Sequence, residues 1–252
     1  MKTTSCSLRT RGFTLVEMLV VTLIIAVLAG IASVAYANIR ARAHSVVSAN
    51  NMRQWGQALV LYASDHNGAI PFEGDRDRVT WAAIAAGANE RAWFNVLPPY
   101  VGEKGMADFT ANDRDSHANG WGIHYCPLVE WRDSRRPAFS YMMNSQIYNP
   151  NGPSDDPDRP VRMPQILEPT QTVMFADLNQ SYNDRPRGRG RHVDERQPGG
   201  MTNLVFFDGS MRAYEAAYLR PDTYSGGGRF YTDNNRPNLI WNPWTHPRTS
   251  GN

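Results

Sequence analysis

Residues 11–37 read RGFTLVEMLVVTLIIAVLAGIASVAYA. From Phe13 to Ala37 the run is apolar almost throughout, and Glu17 is its only charge. It exceeds the roughly 20 residues that a helix needs to cross a bilayer core. It also exceeds the apolar region of an ordinary secretory signal, which is about 7–15 residues long. The twelve residues before it contain Lys2, Arg9 and Arg11 and no acid. A basic flank of this kind places the N-terminus of a spanning helix on the cytoplasmic side. The segment therefore divides into a basic leader, 1–12, and an anchor helix, 13–37.

The helical pattern continues past the apolar run. Ile39, Ala43, Val46, Val47, Trp55, Leu59 and Tyr62 recur at steps of three and four, with polar residues between them. That spacing predicts an amphipathic continuation over 38–65. The cluster Asp65-His66-Asn67-Gly68, with Pro71 beyond it, ends the pattern. A single helix from about Phe13 to Ser64 would be roughly 75–80 Å long.

Residues 66–252 are rich in Pro, Gly, Asn and Asp, and their apolar runs are short. Residues 79–97 suggest a second short helix. Thr172–Ala176 and Asn203–Phe207 read as buried strands, and Met211–Tyr214 as a partner of the latter across the turn Asp208-Gly209. The expected fold class is α+β: a long N-terminal helix packed against a small antiparallel sheet in a loop-rich head.

Composition narrows the function. The formal charge is +2, and without the first twelve residues 23 basic side chains face 24 acidic ones. A near-neutral chain has no global attraction for nucleic acid. Of the two cysteines, Cys6 lies in the leader, so Cys126 would remain alone after its removal. A lone cysteine beside proline reads as a small buried hydrophobe.

The junction Arg11-Gly12-Phe13-Thr14-Leu15-Val16-Glu17 closely resembles the prepilin signal of type IV pilins and type II secretion pseudopilins. The resemblance implies cleavage between Gly12 and Phe13 by prepilin peptidase and N-methylation of Phe13. It also implies an inner-membrane anchor and assembly with other pilin or pseudopilin subunits. Glu17 becomes the fifth residue of the mature chain, where that family keeps a glutamate. A carboxylate in a lipid-facing helix is costly and marks function by default. No basic residue follows Glu17 before Arg40. The amine of a cleaved Phe13, in the same chain or a neighbour, is the candidate partner. The competing reading is a carboxylate that snorkels to the headgroups. Gly30 and nearby alanines would permit close helix approach.

A second likeness lies near the other end. A subgroup of pilin-like proteins carries a His, then Gly-Gly-x-Asn, an apolar pair and Asp-Gly. Here His192 precedes Gly199-Gly200-Met201-Thr202-Asn203-Leu204-Val205-Phe206-Phe207-Asp208-Gly209. Fifteen residues separate His192 from Asp208, against about nine in the subgroup, so an insertion is required. Tyr125-Cys126-Pro127, Ser140-Tyr141-Met142-Met143-Asn144 and Met174-Phe175-Ala176-Asp177 are similar to the same group.

No residue pattern specifies catalysis: His-Glu-x-x-His, Gly-x-Ser-x-Gly and a phosphate-binding glycine loop are all missing from the sequence. His192 and Asp208 are conceivable metal ligands, but Asp208-Gly209 also suits a hairpin turn. Asp113, Asp115, His117, Asn119 and Gly120 alternate like a calcium loop, and some pseudopilins bind calcium in their heads. Counted from Asp115 the twelfth position is Cys126, and counted from Asp113 the sixth is Ala118, which excludes an EF-hand. A solvated acidic loop is the plainer reading, as it is for Asp155, Asp156 and Asp158. Arg185–Arg191 reads as an exposed basic loop, and Trp241 and Trp244 as caps on the core or sugar-stacking rings. The alternative to a pilin-like subunit is a secreted or tethered binding module for carbohydrate or calcium. An ordinary signal peptide cut at Ala35-Tyr36-Ala37 would release it.

Overall fold

A computed structural model describes residues 14–75, 79–120, 122–129, 133–148, 160–219 and 238–244. The leader with Gly12 and Phe13, and the acidic cluster Asp155, Asp156 and Asp158, lie outside the described residues. Contacts group the chain into two compact units divided between Arg42 and Ala43. One helix, α1 (Leu15–Asp65), contributes to both.

In the first unit the apolar side chains of α1 are exposed around the whole circumference, including Val20, Leu23, Ile24, Leu28 and Ile31. A helix with no polar face finds its solvent in lipid or in partners. In the second unit α1 has an inner face. Met52, Trp55, Ala58 and Leu59 are fully buried, at the spacing of one helical stripe. Burying Met52 or Leu59 stabilises by about 1.5–3 kcal/mol each. The Trp55 indole N–H also donates to the Ile123 carbonyl at 3.0 Å, so its polar edge is satisfied inside the core. The helix ends where Asn67 and Gly68 turn left-handed, with φ of 53° and 77°. The Gly68 N–H closes onto the Ala63 carbonyl at 2.7 Å, which caps the last turn.

The sheet has five strands: β1 (Tyr141–Asn144), β2 (Val173–Asp177), β3 (Arg187–Gly188), β4 (Met201–Phe206) and β5 (Met211–Glu215). Their spatial order is β3-β1-β2-β4-β5. The expected strands correspond to β2, β4 and β5. All pairings are antiparallel except β1 with β3, which is parallel, so the sheet is mixed. Every residue of β1 and β2 is buried, which removes the alternation that marks a half-exposed strand. Edge strand β5 keeps its exposure.

Two expectations need correction. Residues 79–97 do not form one helix. They break into α2 (Trp81–Ile84), a 3₁₀ turn (Gly87–Arg91) and α3 (Trp93–Val96). The break follows from Gly87 at φ 60° and from tertiary bonds that a continuous helix would forbid. The buried Asn89 carboxamide accepts from the Asp75 N–H and donates to the Ala83 carbonyl, while the Trp93 N–H donates to Phe72.

Likewise, Arg185–Arg191 is not an exposed basic loop. It contains β3, and Arg187 is buried and ion-paired with the buried Glu73. The Pro186 carbonyl accepts from the Met143 N–H and from the Trp93 indole N–H. Arginine-glycine composition resembles a solvated linker, but here the glycines allow close packing. A Cβ on Gly188 would fall 2.2 Å from the Met142 sulfur.

Residues 238–244 return to the sheet. Ile240 bridges Thr172, and Trp241 is buried. The Asn144 carboxamide donates to the carbonyls of both Trp241 and Val173.

Candidate functional site

At the start of α1, Thr14 and Glu17 bond reciprocally. The Thr14 N–H and hydroxyl each donate to Glu17 Oε2 at 2.8 Å, and the Glu17 N–H donates back to the Thr14 hydroxyl at 3.2 Å. This is a capping box, and it directs the carboxylate back toward the first backbone donors of the helix. The macrodipole favours a negative charge there. Sequence reasoning left Glu17 needing a partner beyond its own helix. The structure supplies a local one in Thr14, a residue that stays in the chain if cleavage falls after Gly12. The remainder of the segment is one helix, long and apolar enough to cross a membrane.

Within the head, a buried polar cluster ties α1 to the sheet. Gln197 Nε2 donates to Ser48 Oγ at 3.1 Å and to Asp177 Oδ2 at 3.0 Å, and its Oε1 accepts from the Ser45 hydroxyl at 2.7 Å. Asp177 Oδ2 also accepts from the Asn203 N–H at 2.8 Å. Burial pushes the Asp177 carboxyl up, against the opposing pull of the Arg196 guanidinium. Cys126 donates to Ser48, and the Ser48 and Tyr141 hydroxyls lie 3.3 Å apart. Cys126 is fully buried, and burial pushes its thiol up, so it lacks the exposure and thiolate character of a nucleophile. The cluster is an internal fastening. Gln197, Ser48 and Asp177 Oδ2 are bonded within it, while Asp177 Oδ1 is buried without a hydrogen bond among the described residues.

The metal candidates are engaged separately. Asp113 lies in helix α4 (Ala111–Ala118), not in a loop, and forms a capping box with Thr110. Hydrogen bonds from Thr110, then Lys104, lower its carboxyl to about 2. Asp115 lies on the same short helix. His192 is buried and accepts the Arg189 N–H at its Nδ1. Asp208 Oδ1 accepts from the N–H and hydroxyl of Ser210, which fastens the β4–β5 turn. Among the described residues, no three His, Cys, Asp or Glu side chains are arranged to hold a metal ion.

The two tail tryptophans serve the core. Trp241 is buried, and the Trp244 indole N–H donates to the Ile147 carbonyl at 2.9 Å.

Residues 8–33 match the family model of the prokaryotic N-terminal methylation motif. The match supports a type IV pilin-like protein whose N-terminal helix fits membrane anchoring, in a class that is structural rather than catalytic. No curated protein and no solved structure matches the chain.

Sequence reasoning missed Gln197, Ser48 and the Glu73–Arg187 pair. Gln197 lies in the stretch that lengthens the spacing from His192 to Asp208, so it looked like surplus chain. Ser48 falls among the polar residues of an amphipathic helix and gives no local sign of burial.

Proposed function

We propose that this chain is a membrane-anchored pilin-like subunit that is processed by prepilin peptidase and assembles through α1 into a filament of the type IV pilus or type II secretion kind. Cleavage falls between Gly12 and Phe13, and Phe13 is methylated. Lys2, Arg9 and Arg11 hold the leader on the cytoplasmic side of the inner membrane, and the head lies beyond it. The observation that carries this reading is a coincidence of position. The methylation motif covers 8–33, and from Leu15 on it overlaps a helix whose apolar side chains are exposed on every face.

Glu17 is the assembly residue in this reading. Its carboxylate, held by Thr14 at the first turn, pairs in this reading with a cationic N-terminal amine, its own or that of an incoming subunit. In lipid such a pair is worth more than the capping bonds alone, because the alternative is a charge without a counter-ion.

The mass of the mature N-terminus tests the proposal. A chain that begins at N-methylated Phe13 supports it. A chain that begins at Asn38, cut after Ala35-Tyr36-Ala37, overturns it in favour of a secreted binding module.

A further inference from the structure

We propose that the head carries a groove for a neutral saccharide, bounded by the C-terminal half of α1, the Pro98–Val101 turn and the Asp208-Gly209 hairpin turn. This goes beyond the filament reading and depends on neither processing nor assembly. The cavity measures about 600 Å³, inside the range of roughly 300–1,000 Å³ usual for ligand sites. Its apolar floor is Val60, Leu61 and Val101. Val60 and Leu61 are 42% and 48% exposed, although they sit on the helix that supplies the core residues Ala58 and Leu59.

The polar groups of the groove decide the ligand. Gln54 and Gln57 stand one helical turn apart on α1 and line the same groove. Among the described residues their carboxamides are not used in any hydrogen bond, so each offers donors and an acceptor to the groove. Asp208 adds a carboxylate fixed by Ser210. Tyr100 supplies an aromatic wall.

Among the described residues no Lys, Arg or His lines the groove, so a phosphate, a carboxylate or a nucleic acid would meet Asp208 without a counter-charge. A purely apolar ligand would strip water from two carboxamides and a carboxylate and return no hydrogen bonds. A sugar ring satisfies both parts of the lining. Its C–H face covers the valines and leucine, and its hydroxyls meet the amides and the carboxylate. Gly209 keeps the turn tight against the helix at the groove's end. A Cβ there would sit 2.9 Å from the Val60 side chain.

The test uses the full chain in a detergent without a sugar headgroup, titrated calorimetrically with maltotriose, cellotriose and the trimer of N-acetylglucosamine. At least one should bind with a Kd of about 1 mM or tighter. The double variant Gln54→Leu/Gln57→Leu should raise that Kd tenfold or more with an unchanged melting temperature, and Asp208→Asn should raise it severalfold. Failure of all three sugars to bind overturns the proposal, and so does binding that ignores the glutamine variant. If the glutamine variant instead reduces crosslinking between subunits while no sugar binds, the groove is a protein contact and the saccharide assignment falls. None of these outcomes bears on the mass of the mature N-terminus, so the two proposals fail separately.

Discussion

Gly56 of α1 lies against Gly209 of the β4–β5 turn so closely that a Cβ on Gly56 would fall 2.4 Å from the Gly209 carbonyl oxygen. The contact explains the Asp-Gly element in structural terms. Asp208 fastens the turn through Ser210. Gly209 adopts φ 80°, and its bare backbone meets the bare face of the helix. Gly56→Ala sets a helix-propensity gain of about 1 kcal/mol against overpacking of roughly 1–3 kcal/mol. The contact is to backbone, which cannot swing aside, so overpacking wins. The variant should melt several degrees lower in a thermal scan of the full chain. Gly30→Ala, which meets nothing within 4 Å, should leave the head's melting unchanged.

Gln197→Ala should cost about 2–3 kcal/mol in denaturant unfolding. The substitution removes the shared partner of Ser45, Ser48 and Asp177 and leaves polar groups buried without hydrogen bonds. Gln197→Glu should cost at least as much, because it sets a second carboxylate against Asp177. A loss under about 0.5 kcal/mol, the range of surface substitutions, would remove Gln197 from its fastening role.

Arg187→Met should destabilise by roughly 3–5 kcal/mol, since it strands the buried Glu73 carboxylate. Burial already lowers the Arg187 guanidinium to about 10, so the pair carries a real desolvation cost. The double variant Glu73→Leu/Arg187→Met should therefore recover most of the loss. Equal stability of the single and double variants would contradict this account.

The head should lose stability in acid through His117 and His124. Both rings are buried, with centroids 6.1 Å apart. Each Nε2 is bonded to a backbone carbonyl, of Ala138 and Lys104 respectively. Burial lowers both imidazoles, His124 to about 3 with a further contribution from its neighbour His117. A folded-state value below the unfolded one means that the unfolded chain binds more protons. The stabilisation is thus complete above the unfolded value near 6.5 and declines as pH falls below it, at up to about 1.4 kcal/mol per pH unit for each ring, the decline from His124 continuing toward about 3. Urea unfolding between pH 7 and 4 measures the slope, and His117→Phe/His124→Phe should flatten it.

Glu17→Ala should leave cleavage and methylation intact, since both are proposed to act at Gly12 and Phe13, but should reduce incorporation into filaments. Filament yield against total mature subunit, by shearing and immunoblot, reads the difference. Wild-type incorporation would refute the pairing of Glu17 with an N-terminal amine.

The division between sequence and tertiary structure follows the range of the forces involved. The sequence by itself determined an N-terminal helix long and apolar enough to cross a membrane, because that property is set by a run of side chains taken in turn and is met or failed locally. It also determined the helix end at Asn67-Gly68 and the strands flanking Asp208-Gly209, where backbone conformation is a property of neighbouring residues. Only the tertiary structure decided that Arg187 is buried, since its meaning depends on Glu73, more than a hundred positions away. Strand β1 was hidden for the same reason. With both faces covered by distant segments, Tyr141–Asn144 shows no alternation. Ser48, Asp177 and Gln197 are individually ordinary polar residues. Their role exists only where folding brings Ser48 and Asp177 within 3.1 Å of Gln197 Nε2 and removes the water that each would otherwise bind.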